Sequence, residues 1–293
     1  MNIINGILIS EKIKQEVFIQ VLELKKTYGI SPSLSVILVG DDPASSIYVR
    51  TKEREANKLG MHSKLIKLYS DATEEEIINQ VHMLNADSSV HGILIQLPLP
   101  AHINEQHITE AINPLKDVDG LNPFNMGLLA SGNPRFVPAT PLGIQQMILR
   151  SGYDFKGKHV VVLGRSNIVG RPISNLLSNK SDGGNATVTL CHSYTNNIDE
   201  ICKSADILIA AIGIPNYVKS HMITNRTIAI DVGINRVDDI NAKKGYKLVG
   251  DIDYNNVFNK VAAITPVPGG VGPMTIAMLL ENTLKATLLH VEN

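Results

Sequence analysis

The chain has little of what marks several large classes of protein. It has two cysteines, no tryptophan and nine histidines among 293 residues, and Lys and Arg number 27 against 28 for Asp and Glu. Two cysteines are too few for a disulfide framework, and neither they nor the scattered histidines show metal-site spacing. The balanced charge gives no basic field that would attract nucleic acid. We therefore expect no metal, no nucleic-acid partner and no disulfide framework.

Long apolar segments are also missing. The start of the chain lacks a basic segment followed by an apolar core, and the apolar run at residues 207–214 is too short to span a bilayer. We therefore expect a cytoplasmic protein with no membrane partner. Hydrophobic residues make up 44% of the chain and charged residues 19%. This composition supports a large core and favours two domains over one.

Helical and strand patterns alternate along the chain, which predicts an α/β fold with parallel strands. The first half predicts helices over residues 10–28, 45–59 and 73–84, with strands over 34–39, 65–69 and 92–97. Residues 101–141 are rich in Pro, Asn and Gly and predict loops with short helices. A helix over 141–150 then leads to a Rossmann-like half with strands over 160–163, 187–190, 207–210 and 227–232. Pro273 suits the first turn of a last helix.

Residues 158–172 show the pattern of a dinucleotide-binding turn. The β-branched run 160–163 predicts a buried strand, Gly164 and Gly170 flank a tight loop, and Pro172 suits a helix start. Backbone N–H groups at such a helix start favour a phosphate. The spacing departs from G-x-G-x-x-G, because Ser166 replaces the second glycine and Gly170 lies six residues after Gly164. A glycine-bearing turn that binds nothing is therefore an open alternative.

The end of the second strand in this half bears on which dinucleotide is bound. A fold that selects NAD usually places Asp or Glu there to bind the ribose 2′-hydroxyl. This strand instead ends in Leu190-Cys191-His192-Ser193. With Arg165 beside Gly164, a 2′-phosphate would be accepted, which favours NADP over NAD. Arg165 could equally be an ordinary surface charge.

Tyr48 and Lys52 lie four residues apart in the predicted helix 45–59, so their side chains share one face. A lysine in a partly apolar cleft has a lowered pKa and can exchange protons near neutral pH. The same helix carries several other charged residues, and spacing alone favours a solvated lysine. The pair is the sharpest catalytic candidate in the chain.

Gln96 and Asp119 are the other candidates for chemistry. Gln96 ends a predicted strand, where open α/β sheets bind ligands, and could orient a substrate or the lysine or merely satisfy its own turn. Asp119 could accept two parallel hydrogen bonds from an N–C–N donor pair such as the amino-pyrimidinone edge of a pterin. An Asx turn is the commoner role of Asp before Gly.

Five motifs in this order resemble the bifunctional methylenetetrahydrofolate dehydrogenase/cyclohydrolase family. They are Tyr48-x-x-x-Lys52, Gln96-Leu97-Pro98-Leu99-Pro100, Lys116-Asp117-Val118-Asp119-Gly120, Gly164-Arg165-Ser166-Asn167-Ile168-Val169-Gly170-Arg171-Pro172 and Pro266-Val267-Pro268-Gly269-Gly270-Val271-Gly272-Pro273-Met274-Thr275. The resemblance covers essentially the whole chain, and the last motif is the most specific.

The resemblance implies a role for each matching residue in the catalytic set. Lys52 corresponds to the proton-transferring lysine and Tyr48 to the folate-stacking tyrosine. Gln96 corresponds to the glutamine that positions lysine and substrate, and Asp119 to the carboxylate that holds the pterin. The implied folate contacts also include Pro98, Gly269 and Gly270, where glycine lets backbone approach the ligand.

The resemblance also implies the cofactor contacts, which are Gly164, Arg165, Ser166, Gly170, Ser193 and Ile234. One departure from the family's pattern bears on them. Tyr194 stands near the position where the family often has a basic residue for the 2′-phosphate, so the strictness of NADP over NAD is open. The X-Pro bonds at Pro98, Pro100, Pro266 and Pro268 are candidates for cis peptides.

The activity implied is NADP-dependent oxidation of 5,10-methylenetetrahydrofolate to the methenyl compound, then hydrolysis to 10-formyltetrahydrofolate in the same site. The setting would be one-carbon metabolism and purine biosynthesis, in a homodimer. We expect a folate-binding catalytic domain of residues 1–141 plus 266–293, with a terminal helix returning to it. Residues 142–265 would form the Rossmann-like NADP-binding domain.

Two other classes share parts of this pattern. Short-chain reductases also carry Tyr-x-x-x-Lys, but there the glycine-rich turn comes first, whereas here Tyr48 precedes Gly164. A non-catalytic dinucleotide sensor would keep the turn and have no need of Lys52, Gln96 and Asp119. A cofactor-reduction assay separates these classes.

Overall fold

The computed structural model describes residues 2–239, 242 and 245–292. The strands are β1 (Asn2–Ile3), β2 (Ser33–Val39), β3 (His62–Leu68), β4 (Gly92–Ile95), β5 (His159–Leu163), β6 (Thr187–Cys191), β7 (Ile207–Ala210), β8 (Ile228–Asp231), β9 (Asn235–Asp238), β10 (Tyr246–Val249) and β11 (Ala263–Ile264). The α-helices are α1 (Gly6–Tyr28), α2 (Pro43–Lys58), α3 (Glu74–Ala86), α4 (Glu105–Ala111), α5 (Pro123–Ala130), α6 (Ala139–Arg150), α7 (Gly170–Ser178), α8 (Ile198–Lys203), α9 (Tyr254–Val257) and α10 (Val271–Val291), and Ser220–Met222 forms a 3₁₀ helix.

The chain divides into two compact units. The first, which we call the nucleotide unit, comprises residues 2–10, 129–133 and 140–275. The second, which we call the lysine unit, comprises residues 11–128, 134–139 and 276–292. Compared with the expected domains, residues 2–10, 129–133, 140–141 and 266–275 group with the nucleotide unit. The pairing of β1 with β11 in the larger sheet accounts for the first of these segments.

The lysine unit contains a parallel sheet of three strands in the order β3-β2-β4. β2 is central and is buried almost throughout, as expected for an apolar strand covered on both faces. Ile77 and Val81 of α3 pack with Ile37 of β2 and Ile93 of β4 in one hydrophobic core. This sheet sets the positions of the loops that follow β2 and β4.

The nucleotide unit contains six strands in the order β1-β11-β8-β7-β5-β6, and every pair is parallel. Counted from β5, the strands β6-β5-β7-β8-β11 follow the doubly wound order 2-1-3-4-5. In that order the chain changes direction across the sheet between β5 and β7, which is where such sheets bind ligands. A separate antiparallel hairpin is formed by β9 and β10.

The helix starts follow from local capping. The Thr73 hydroxyl accepts a hydrogen bond from the N–H of Glu76, and the Glu76 carboxylate accepts one from the N–H of Thr73, which forms a capping box at the start of α3. α2 has Pro43 in its first turn, and Asp42 caps it by accepting a hydrogen bond from Ser45 N.

The predicted α/β fold with parallel strands is confirmed, and the main predicted helices and strands are present within a few residues. The predicted start of the first helix, at residue 10, was wrong. α1 begins at Gly6, where Asn5 caps it by accepting from Leu8 N, and the Ser10 hydroxyl donates to the carbonyl of Ile7 instead of capping the helix. The short strands β1 and β11 and the β9–β10 hairpin were not predicted. In the part of the chain that is described, no helix has the length and apolar character needed to cross a membrane.

Candidate active site and dinucleotide-binding turn

Lys52 lies on α2 with its side chain turned into the lysine unit. Only 8% of the residue is exposed, and its Nζ donates a hydrogen bond to Oε1 of Gln96 at 2.9 Å. Burial lowers the pKa of Lys52, and the nearby Asp119 carboxylate partly opposes that change. The solvated lysine favoured by spacing alone was therefore wrong. The structure provides a buried amine that can exchange protons more readily than a surface lysine.

Gln96 follows β4 and is held there by hydrogen bonds from its backbone N–H and from its side-chain amide. Its backbone N–H donates to the carbonyl of Ile37, and its side-chain Nε2 donates to the carbonyl of Leu97 at 2.7 Å. Because Nε2 is committed to this turn, Oε1 is the atom available to accept from Lys52. The peptide between Leu97 and Pro98 is cis, and Pro98 is exposed beside this glutamine. Gln96 thus both satisfies its own turn and orients the lysine.

Asp119 is half-buried and lies close enough to Lys52 for the two charges to affect each other's pKa. Burial raises the pKa of Asp119, and the Lys52 ammonium opposes that rise. Among the described residues, no side chain or backbone N–H donates to its carboxylate. We call Lys52, Gln96 and Asp119 the lysine cluster. Its carboxylate is available for a ligand.

The Asx-turn role considered for Asp119 belongs to its neighbour Asp117. The buried carboxylate of Asp117 accepts from the N–H groups of Leu121 and Asn122 and from Nδ2 of Asn125. Burial raises the pKa of Asp117 to about 6, although these hydrogen bonds favour its charged form. Asp117 therefore fixes the turn that carries Asp119. Sequence reasoning missed this residue, because two aspartates only two residues apart cannot be told apart by composition.

Tyr48 lies one turn before Lys52 on α2 and is 36% exposed. Partial burial raises the pKa of its hydroxyl, so the ring is neutral at ordinary pH. An exposed aromatic face on the same side of the helix as Lys52 is suited to stacking against a flat ligand. Tyr48, Lys52, Gln96 and Asp119 thus all lie in the lysine unit.

The turn between β5 and α7, residues 164–170, is the glycine turn of the nucleotide unit. Gly164 has φ of +106°, and a β-carbon there would lie 2.1 Å from the carbonyl oxygen of Ala211. A β-carbon on Gly170 would lie 1.9 Å from the carbonyl oxygen of Gly164. Both positions therefore require glycine, because a backbone carbonyl of the protein itself occupies the space that a β-carbon would need.

The free hydrogen-bond donors of this turn lie in its loop rather than at the helix start. The N–H groups of Val169 and Gly170 donate to the Ser166 hydroxyl, and that of Arg171 donates to the Ser166 carbonyl. Within the described chain, the N–H groups of Ser166, Asn167 and Ile168 have no protein acceptor. The N–H groups left free for an anion thus lie in the loop directly before α7.

Arg165 and Ser193 are both exposed, Arg165 in the glycine turn and Ser193 just after β6. The β6 end carries no carboxylate, and Tyr194 is 81% exposed with its ring edge-on to His192. Ile234 is 46% exposed in the loop after β8. These three loops follow strands β5, β6 and β8, so they share the carboxyl edge of one parallel sheet.

Gly269 and Gly270 lie against the chain's own backbone. The carbonyl of Gly269 accepts from Ile7 N, and the peptide between Val267 and Pro268 is cis. A β-carbon on Gly270 would lie 2.5 Å from the carbonyl oxygen of Pro266. Packing within the nucleotide unit therefore accounts for glycine at position 270 without a ligand.

Two family models match this chain, and both describe domains of the same family. The model of the tetrahydrofolate dehydrogenase/cyclohydrolase catalytic domain matches residues 4–119, and that of the NAD(P)-binding domain of the same family matches residues 138–291. The bifunctional protein FolD of Chlorobium phaeobacteroides is 52% identical over 295 residues, covering 100% of this chain and 99% of its own.

Solved structures agree with that match. The bifunctional FolD dehydrogenase/cyclohydrolase of Campylobacter jejuni superposes with a TM-score of 0.92 at 44% identity, covering 99% of both chains. The Trypanosoma brucei enzyme, complexed with NADP cofactor and inhibitor, gives a TM-score of 0.93 at 38% identity and covers 99% of this chain and 98% of its own.

Proposed function

The chain belongs to the tetrahydrofolate dehydrogenase/cyclohydrolase family, and we propose how its own residues perform the two reactions. The enzyme oxidises 5,10-methylenetetrahydrofolate to the methenyl cation and hydrolyses that cation to 10-formyltetrahydrofolate. The observation that carries the assignment of residues is the buried Lys52 amine, held 2.9 Å from Gln96 and beside the Asp119 carboxylate. Among the described residues, Lys52 forms no ion pair within 4.0 Å that would explain its burial.

Lys52 would move the protons of the hydrolysis. In its neutral form it accepts a proton from the attacking water as the water oxygen bonds to the methenyl carbon. The resulting ammonium donates that proton to the ring nitrogen as the carbon–nitrogen bond breaks, and the remaining hydroxyl proton is released to solvent as the formyl carbonyl forms. The lowered pKa of Lys52 favours this cycle, because the neutral form is reached at lower pH than for a surface lysine. Gln96 keeps the amine in place between the two steps.

Asp119 and Tyr48 would bind the folate. The Asp119 carboxylate, which no described protein group satisfies, can accept a pair of hydrogen bonds from the amino-pyrimidinone edge of the pterin. Tyr48 offers its exposed ring face for stacking, and Pro98 lies beside Gln96 at the end of β4. Gly269 and Gly270 are retained as proposed folate contacts on the family resemblance alone.

NADP fits the donor groups of the nucleotide unit. The loop N–H groups of the glycine turn suit a pyrophosphate, and Arg165, with Ser193 in place of a carboxylate at the β6 end, suits a 2′-phosphate. Gly164, Ser166, Gly170 and Ile234 complete the proposed contacts. Bound NADP would supply the hydride acceptor for the first reaction. That step depends on orientation of the two reactants rather than on proton transfer.

We also propose the features that rest on family resemblance alone. These are assignment of folate binding to the lysine unit and NADP binding to the nucleotide unit, a homodimeric state, a cytoplasmic location and a role in supplying formyl groups for purine biosynthesis. Sedimentation of the purified protein tests the dimer, and a single species with the mass of one chain would contradict it.

The assay that tests the proposal is cofactor reduction with 5,10-methylenetetrahydrofolate, run first with NADP and then with NAD. We expect reduction with NADP and a weaker response with NAD, followed by loss of the methenyl product in the absence of further cofactor. A short-chain reductase would leave the folate unchanged, and a dinucleotide sensor would bind NADP without reducing it. Either result would overturn the proposal.

A further inference from the structure

Two buried aspartates in the nucleotide unit have no part in the proposed proton chemistry. Asp231 ends β8 and is 2% exposed, and Asp251 follows β10 and is 0% exposed. Buried carboxylates are costly unless they accept several hydrogen bonds, so each of them calls for a reason. Both lie behind loops at the carboxyl edge of the six-stranded sheet, the edge on which the glycine turn also stands.

Asp251 binds two of these loops at once. Its Oδ2 accepts from the N–H groups of Ile212 and Gly213, at 2.7 and 3.0 Å, in the loop after β7. Its Oδ1 accepts from Nδ2 of Asn235 at 2.9 Å, at the end of the loop after β8. A single carboxylate thus ties together loops that are more than twenty residues apart in sequence.

Asp231 in turn holds Asp251. Its carboxylate accepts from the backbone N–H groups of Asp251, Ile252 and Gly233. Burial raises the pKa of Asp231 to about 7, with the Asp251 charge adding to that rise. The three backbone bonds oppose it. The position of the Asp251 backbone is therefore fixed by a second buried carboxylate.

Two glycines are needed for this arrangement. A β-carbon on Gly233 would lie 2.1 Å from Oδ1 of Asp251, and one on Gly250 would lie 1.8 Å from Oδ2 of Asp231. The loops approach the carboxylates so closely that any side chain would displace them. The sequence therefore supplies both the acceptors and the space for the backbone to reach them.

The two tied loops adjoin the proposed cofactor contacts. Ile234 lies between Gly233 and Asn235, and both neighbours are bonded to the aspartates. The carbonyl of Ala211 lies against Gly164. Ala211 directly precedes Ile212 and Gly213, whose N–H groups donate to Asp251. Asp251 thus fixes the loop after β8 directly and supports the glycine turn through Ala211.

We propose that Asp251 is a positioning residue of the dehydrogenase reaction, which sets the loops at 211–213 and 233–235 in the arrangement that binds the dinucleotide. The inference rests on the proposed binding of NADP to this unit. It assigns Asp251 no contact with NADP or folate. Hydrolysis of the methenyl compound needs no dinucleotide, so that reaction serves as an internal control in the same protein.

The test compares both activities in the full-length Asp251→Asn enzyme. An asparagine keeps the shape but replaces one acceptor oxygen with a donor, which would face an N–H group. Loss of hydrogen bonds to a charged group predicts a rise in KM for NADP of about tenfold or more. The rate of methenyl hydrolysis should stay at the wild-type value.

Asn235→Ala provides a second, milder variant in case Asp251→Asn fails to fold. It removes one partner of Asp251 and leaves the carboxylate bonded to the loop after β7. We expect a smaller rise in KM for NADP, about threefold to tenfold for one such bond. Asp253→Asn is the matched control, because Asp253 lies two residues away and bonds to Lys219 and Asn256 instead. It should leave both activities unchanged.

The KM for NADP and the rate of hydrolysis in these variants together test the positioning role. A raised KM for NADP in folded Asp251→Asn, with hydrolysis retained, supports the positioning role, and the same result in Asn235→Ala supports it where Asp251→Asn does not fold. An unchanged KM in folded Asp251→Asn, or in Asn235→Ala where Asp251→Asn does not fold, overturns it. Equal loss of both activities also overturns it, because it indicates a role in stability only. If the wild-type protein does not reduce NADP with methylenetetrahydrofolate, the proposed function fails instead, which separates the two ideas.

Discussion

The lysine cluster is built from side chains, of which Lys52 is buried and Gln96 and Asp119 are half-buried. The glycine turn is built from backbone, and its Arg165 side chain is exposed to solvent. In the cluster, burial lowers the pKa of Lys52 and raises that of Asp119, so the environment changes what each side chain can do. In the turn, Gly164 and Gly170 act by having no side chain. Proton transfer needs a desolvated titratable group, while phosphate binding needs exposed N–H groups and close backbone approach.

The largest expected effect separates these two regions by removing the amine. Lys52→Met should slow methenyl hydrolysis by about 10²- to 10⁴-fold, the usual contribution of general acid–base catalysis. NADP affinity should be unchanged, because the glycine turn belongs to the other unit. The measurement is loss of the methenyl absorbance, with NADP titration alongside.

Lys58→Met is the control for that variant. Lys58 lies on the same helix, but its side chain is 61% exposed and paired with Glu55. Its replacement should leave hydrolysis at the wild-type rate. Full activity in Lys52→Met would end the assignment of the lysine cluster as the catalytic site.

The converse change is made in the glycine turn. Gly164→Ala adds a β-carbon against Ala211 at positive φ, and such backbone strain is on the order of 1–3 kcal/mol. We expect KM for NADP to rise by about tenfold or more, with hydrolysis retained. Steady-state kinetics of both reactions provide the measurement.

Gly152→Ala is matched to that change, because Gly152 also has positive φ but has open space around a β-carbon. It should lower the melting temperature slightly and leave KM for NADP unchanged. If both glycine variants raise KM equally, close approach to Ala211 is not what the turn requires.

A third change sharpens the comparison within the lysine cluster. Asp119→Asn replaces a pair of acceptors with one acceptor and one donor, so folate should bind about tenfold more weakly, as for loss of a charged hydrogen bond. Titration with the folate substrate gives the affinity. Asp117→Asn should instead lower the melting temperature, because Asp117 holds the turn. Unchanged folate affinity in Asp119→Asn would contradict the pterin role.

The smallest expected effect is a shift in pH dependence. Hydrolysis that uses neutral Lys52 as its base should rise with pH through the lowered pKa of that residue. Gln96→Glu places a carboxylate next to Nζ, which should raise that pKa and move the rise about one unit or more to higher pH. Gln106→Glu, on exposed α4, is the control and should leave the profile in place. A profile that does not move in Gln96→Glu would show that Lys52 is not the group that titrates.

The sequence alone determined the class of fold and the order of its elements. Apolar runs such as 34–39 and 160–163, the capping box at Thr73 and the glycine at position 164 each act over a few residues, so their signals are local. For the same reason the motifs at Lys52, Gln96 and Asp119 could be chosen as candidates. Resemblance to a family gave them roles.

Only the tertiary structure decided which candidates share one environment. Burial of Lys52 depends on what packs over α2, and the division of labour between Asp117 and Asp119 depends on which carboxylate meets the turn N–H groups. β1 joins the far edge of a sheet whose other strands come more than 150 residues later. Asp231 and Asp251 show no local pattern at all. Desolvation and long-range hydrogen bonds are properties of packed surroundings, and a sequence fixes those only once it has folded.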